Sequence, residues 1–148
     1  MAATKNVIVF PTDFSLRSLD ALPWVERMQA SLDAQVHCIF VVQDPWAFAS
    51  LEMGSMVPMP TLAELVKGVE PSMAEFARKH LGGLRQPVAK VLGGQPADTV
   101  VDYAKDKGAT LIIMTTHGHT GLKHALLGST AEAVLRRASC PVLSVRIT

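Results

Sequence analysis

Two short stretches of this sequence gather side chains and backbone freedom that can hold a ligand. The first is Phe10-Pro11-Thr12-Asp13-Phe14-Ser15, where an apolar run ends in a carboxylate flanked by hydroxyls. The second runs Met114-Thr115-Thr116-His117-Gly118-His119-Thr120-Gly121 and continues to Gly128-Ser129-Thr130. Asp13 has two readings. It can cap the N-terminus of the helix that follows, with Ser15 competing for that place, or it can accept hydrogen bonds from the sugar or base of a ligand. The second stretch is also double-edged. Gly118 and Gly128 let backbone approach a ligand closely, and Ser129 and Thr130 open a predicted helix whose free N–H groups favour phosphate. Against that anion site stands Ser129-x-x-Glu132, a capping box that would satisfy the same N–H groups without a ligand. Spacing alone leaves both readings open.

Several chemistries are disfavoured by what is missing. Neither G-x-x-x-x-G-K-[ST] nor a G-x-G-x-x-G after the first strand occurs, so any nucleotide site is of another kind. His117, His119 and His124 lie close in sequence, but with no cysteine nearby and no carboxylate before Glu132 they do not make a metal set. Phosphoryl transfer lacks a second acid beside Asp13, and no lysine stands in 10–15, 114–121 or 128–130.

These stretches must be positioned by regular elements. Val7 to Phe10, Val36 to Val42, Leu111 to Met114 and Val142 to Ile147 are almost unbroken apolar runs, which predicts strands covered on both faces. Val88 to Leu92 contains Lys90 and fits an edge strand. A helix is predicted from about Ser15 to Leu32, with Leu16, Leu19, Trp24, Val25, Met28 and Leu32 on one stripe, Trp24 and Met28 packing in the core, and Pro23 kinking it. A second begins at the Thr61-x-x-Glu64 capping box and runs to about Leu81, interrupted by Gly68 and Pro71. A third starts near Pro96 and stops before Gly108, and a fourth follows Gly128. Alternating strands and helices predict a parallel sheet with right-handed crossovers. Ligands of such sheets bind at the carboxyl ends of the strands, where both stretches fall. The long connection from Gln43 to Pro60, rich in Met, Trp and Phe, is read either as a loop packed on its own domain or as a lid or partner surface.

Composition narrows the classes further. The 148 residues, 49% of them hydrophobic, suit one domain with one core, spanning 1–148. Fourteen basic and 13 acidic residues give a net charge of +1, with no basic stripe for nucleic acid. No stretch reaches the ~18 apolar residues of a membrane span, and the expectation is a cytoplasmic protein. Two cysteines, Cys38 and Cys140, are too few for a disulfide framework and are expected to be packing residues.

VIVFPTDFS and the segment from Gly93 through CPVLSV to Ile147 resemble the universal stress protein family over nearly the whole chain. That family's nucleotide signature is G-x-x-G, nine residues, then G-[ST]. Gly118, nine intervening residues, Gly128 and Ser129 match it, while Thr115 stands where the first glycine is expected. The resemblance implies a Rossmann-like α/β fold: a three-layer open parallel five-stranded sheet, strand order 3-2-1-4-5, with helices on both faces. It implies that Pro11, Thr12, Asp13 and Val41 hold adenine and ribose. Met114, Thr115, His117 and Gly118 approach ribose and phosphates, and Gly128, Ser129 and Thr130 close over the phosphate tail. It also implies a homodimer through the last strand. In that order Cys38 and Cys140 are three strand spacings apart, roughly 14 Å, too far for a disulfide.

The function expected is an adenine-nucleotide-binding stress-response regulator, taking ATP with Mg²⁺ or else AMP or ADP, and passing a signal to a protein partner without dedicated catalysis. A slow ATPase or nucleotidyl-transferring enzyme using the same cleft is the alternative. A nucleotide-free interaction module, its cleft blocked by Thr115, is a third reading.

Overall fold

The computed structural model describes residues 5–45, 58–116 and 127–147. Five parallel strands form one sheet in the order β3-β2-β1-β4-β5: β1 Val7–Pro11, β2 Gln35–Val42, β3 Val88–Gly93, β4 Leu111–Thr115 and β5 Val142–Val145. Three of the four long apolar runs become the inner strands; the fourth becomes the edge strand β5, half-buried at every residue rather than covered on both faces, because no strand among the described residues lies beyond it in the sheet. Ile8, Val9 and Phe10 are fully buried, as are Val36, Cys38 and Ile39 on β2 and Ile112 and Ile113 on β4. Alternation along each strand sends these side chains to two separate cores. Ile8, Phe10, Val36, Cys38 and Ile113 pack under α1 (Leu22–Leu32) and α2 (Leu62–His80). Val9, Ile39, Ile112 and Met114 pack under α3 (Pro96–Asp106) and α4 (Ser129–Arg137). The architecture is thus the expected Rossmann-like three-layer sandwich, with β3 on an edge and its Lys90 exposed.

Local signals place most boundaries. Thr61 and Glu64 form the capping box: Glu64 N–H donates to Thr61 Oγ1 at 3.2 Å and Thr61 N–H to Glu64 Oε2 at 2.7 Å. Pro96 opens α3, and Gly108, at φ +58°, lies just past its end in a conformation that suits glycine.

Four expectations about the helices are corrected. The first helix does not begin at Ser15: a 3-10 turn over Ser18–Ala21 precedes α1. Pro23 falls in the first turn of α1, where its missing N–H has no intrahelical partner to lose, so it starts the helix rather than kinking it. With the stripe cut there, Leu16 is 78% exposed, and Trp24 is 43% exposed beside the Arg27 guanidinium rather than in the core. Neither Gly68 nor Pro71 interrupts α2, because burial of Met73 and Phe76 on its inner face holds the helix through one missing hydrogen bond.

Both cysteines are free thiols, and burial pushes that of Cys38 up to about 12. No helix among the described residues is long and apolar enough to cross a membrane.

Candidate functional site

The central strand β1 has neighbours that continue in opposite directions across the sheet, so its carboxyl end is the point where strand order reverses. A cavity of about 410 Å³ opens there. Its floor exists because the strands end unequally. The β1–β2 pairing stops at Pro11↔Ile39, and Thr12 N–H donates to Ile39 O at 2.9 Å, whereas β2 runs on to Val42 against β3 alone. Val42 O accepts from Gly94 N–H on the β3 side, so alternation turns the backbone N–H and C=O of Val41 toward the side where β1 has ended.

The turn after β1 divides its polar atoms between structure and cavity. Ser18 Oγ donates to Ser15 O at 2.8 Å, which makes the Thr12 hydroxyl the donor in its 2.8 Å bond to Ser18 Oγ. Thr12 Oγ1 also accepts from Phe14 N–H at 3.0 Å, so this buried hydroxyl is spent on the turn. Asp13 Oδ1 accepts from Ser15 N–H at 2.9 Å and from Ser15 Oγ at 2.5 Å. Asp13 Oδ2 is buried without a hydrogen-bond partner among the described residues. The helix-cap reading of Asp13 is corrected: Arg17 and Ala21 are the N-caps of the 3-10 turn and α1, and neither start carries a side-chain cap bond among the described residues. Oδ1 instead closes the turn to Ser15, while Oδ2 is left as an acceptor in a residue that lines the cavity. A buried acceptor left unmade is costly, which marks the position as one where a further partner belongs.

The opposite wall is the start of α4. The Ser129-x-x-Glu132 capping box does not form. Gly128, not Ser129, is the N-cap, among the described residues no side chain caps the helix, and Glu132 pairs with Arg136 at 2.6 Å. Gly128 N–H donates to Thr116 O at 2.6 Å, which pins the helix start to the end of β4. The first-turn amides of α4 thus meet the cavity with no side-chain cap, carrying the partial positive charge of a helix N-terminus.

Of the residues singled out in the sequence, Pro11, Thr12, Asp13, Val41, Met114, Thr115, Gly128, Ser129 and Thr130 all line this one cavity. His117 and Gly118 lie outside the described residues, as do His119, His124 and most of the Gln43-to-Pro60 connection with its lid reading. Thr116, within the second stretch, lines the cavity as well; Ser18, Phe40, Pro96 and Val100 also line it and were not anticipated. The signal for Pro96 was present: it starts the helix after β3, and every strand-to-helix junction of a parallel sheet falls on the same edge. Asp13 is the one charged residue among the described lining residues. No cluster of three or more His, Cys, Asp or Glu able to hold a metal ion occurs among the described residues.

A family model described as the Universal stress protein family matches residues 5–146. Universal stress protein MJ0531 of Methanocaldococcus jannaschii is 38% identical over 145 residues, covering 94% of this chain and 81% of that protein. The solved structure of MJ0577, from the same organism, has a TM-score of 0.77 at 26% identity and covers 99% of both chains. A universal stress protein family protein of Arabidopsis thaliana, At3g01520, solved with AMP bound, shares the fold with a TM-score of 0.62 at 16% identity, covering 97% of this chain and 92% of that one.

Proposed function

The chain belongs to the universal stress protein family, and on that premise we propose that it is an adenine-nucleotide-binding regulatory protein whose ligand occupies the cavity at the carboxyl end of β1. The observation that carries this is the pairing of an open, buried acceptor, Asp13 Oδ2, with the uncapped first turn of α4 across one cavity. An acceptor suits a ribose hydroxyl or an exocyclic amino group, and a free helix N-terminus suits phosphate. The backbone N–H and C=O of Val41 offer the adjacent donor and acceptor that an adenine edge requires. AMP bound to the Arabidopsis relative fits the same assignment.

In this reading Pro11, Thr12, Asp13 and Val41 surround adenine and ribose, and Met114 and Thr115 flank the ribose. His117, Gly118, Gly128, Ser129 and Thr130 follow the phosphates. No Lys, Arg or His among the described residues lines the cavity, so a triphosphate would enter with Mg²⁺ carried on its own oxygens, a cation that keeps several waters and needs few protein ligands. Turnover is negligible, because Asp13 alone supplies no acid–base pair. The protein works as a single domain in the cytoplasm and as a homodimer through β5, the edge strand opposite β3, from which it signals to a protein partner.

Nucleotide analysis of the freshly purified, denatured protein, followed by calorimetry with ATP, AMP and GTP, tests the assignment. Retained adenine nucleotide, or ATP and AMP binding in preference to GTP, supports it. No binding at millimolar adenine nucleotide overturns it. Sedimentation of the unmodified protein as a monomer at micromolar concentration overturns the dimer.

A further inference from the structure

Three described non-glycine residues have positive φ: Phe14, Asp33 and Gln86. Asp33 closes α1 as its C-cap, a place where a short polar residue tolerates the left-handed region. Phe14, at φ +64°, is bulky and has no such reason. It is also the residue next to Asp13, so a strained backbone and an unpaired buried acceptor stand side by side. Each is unfavourable alone, and strain of this kind persists only where the surroundings over-determine it.

The surroundings are visible. Phe14 N–H is tied to Thr12 Oγ1 at 3.0 Å. One face of the Phe14 ring lies parallel on Phe40, with centroids 4.2 Å apart. Phe76 of α2 meets it at 5.4 Å, tilted by 48°. Phe40 lines the cavity, and Phe76 does not. The ring is therefore clamped between the wall of the site and a helix outside it. Returning Phe14 to negative φ would pull its ring out of this clamp and swing the Ser15 N–H away from Asp13 Oδ1. The carboxylate would then be free to rotate and hydrate.

We infer that Phe14 is a positioning residue: clamped between Phe40 and Phe76, it holds the turn that keeps Asp13 Oδ2 open and in place to accept a hydrogen bond from a ligand hydroxyl or amino group. This rests on the nucleotide reading of the cavity, and it adds a cause for the preorganisation of that site. The clamp acts on affinity through Asp13 alone, and that distinguishes it from a general packing role.

Calorimetry with AMP on the full chain tests this in a double-mutant cycle. Phe14→Leu, which keeps apolar volume but not the stacked ring, should weaken AMP binding by about tenfold, the upper range of an aromatic pair. Phe14→Tyr, which keeps the ring, should stay within about twofold of the unmodified protein. In an Asp13→Asn background, Phe14→Leu should cost less than about twofold more, since the group it positions is already altered. Should Phe14→Leu fail to fold by circular dichroism, Phe76→Leu loosens the clamp from the far side and should weaken AMP binding in the same way. Equal losses in both backgrounds, or unchanged affinity in Phe14→Leu while the unmodified protein binds AMP, overturn the positioning role and leave the nucleotide site standing. Absence of AMP binding by the unmodified protein removes both.

Discussion

Along one face of β2, His37, Ile39 and Val41 follow one another, and they lead from one buried polar region to a second of opposite character. At the amino end, His37 Nδ1 and the Tyr103 hydroxyl of α3 share a 2.9 Å hydrogen bond, with Gln35 Oε1 3.5 Å from Nε2. At the carboxyl end, Asp13 Oδ2 has no partner among the described residues. The first region is closed: its polar atoms satisfy one another, and both rings are largely buried. The second is open: among the described residues nothing pairs with Oδ2. Paired polar groups in a core contribute to stability and to a unique packing, whereas an unpaired one beside a cavity is a place for a ligand.

The largest effect that would break this contrast is expected at the open region. Gly128→Val puts a branched side chain on the cavity wall, and adenine-nucleotide affinity should fall by about 100-fold or more with the fold retained. Affinity within about threefold of the unmodified protein would remove the start of α4 from the ligand's path.

Next come two substitutions whose effects should be complementary. Asp13→Ala should weaken nucleotide binding by about 1.5–3 kcal/mol, as one charge-assisted hydrogen bond is lost, and the chain should stay folded. Tyr103→Phe strands His37 Nδ1 in the core and should cost about 1–3 kcal/mol of folding stability with affinity unchanged. Urea unfolding and calorimetry on both variants read the two quantities side by side. A loss of affinity in Tyr103→Phe equal to that in Asp13→Ala would mean that the two regions are not separable.

A smaller effect should appear with pH. Burial, then the charges of Lys107 and Lys90, hold His37 below its ordinary value of 6.5. Below that value the unfolded chain takes up the proton more readily than the folded one, so stability should fall as pH drops under 6.5 until the folded value is passed. Above 6.5 the histidine should contribute no slope. Comparing urea midpoints at several pH values for the unmodified protein and His37→Gln isolates this term, and identical slopes in the two proteins would assign it elsewhere.

The smallest change is expected at Thr115, which lines the cavity but belongs to β4 and pairs with Val145 on β5. Thr115→Gly should alter nucleotide affinity by less than about threefold and cost about 0.5–1 kcal/mol of stability, as glycine weakens a strand. Tightening by more than tenfold would show that the threonine crowds the ligand.

The strands, and the two stretches that fall at their carboxyl ends, were legible in the residue pattern, while the strand order followed from the family resemblance. Val7 to Phe10, Val36 to Val42 and Leu111 to Met114 are nearly unbroken apolar runs that became the inner strands, with right-handed crossovers carrying the ends of β1, β2 and β4 to one side, whereas the similar run from Val142 became the half-buried edge strand β5. The start of α2 was legible because Thr61 and Glu64 complete a box within one turn of chain. Tertiary structure decided the rest. Ser129 and Glu132 have the same box spacing, yet the bond from Gly128 to Thr116 O sets the helix boundary one residue earlier, and Glu132 turns to Arg136. Trp24 has the right period for a core stripe, but the stripe loses its first turn to the 3-10 segment and the ring is left half exposed. Asp13 could be read as helix cap or ligand acceptor, and only the fold shows Oδ1 tied to Ser15 within the turn and Oδ2 without a partner among the described residues. The physical reason is range. Strand and box signals are satisfied by near neighbours in the chain, whereas the open oxygen of Asp13 and the left-handed Phe14 beside it depend on Phe40 and Phe76, whose positions only the packed sheet and α2 supply.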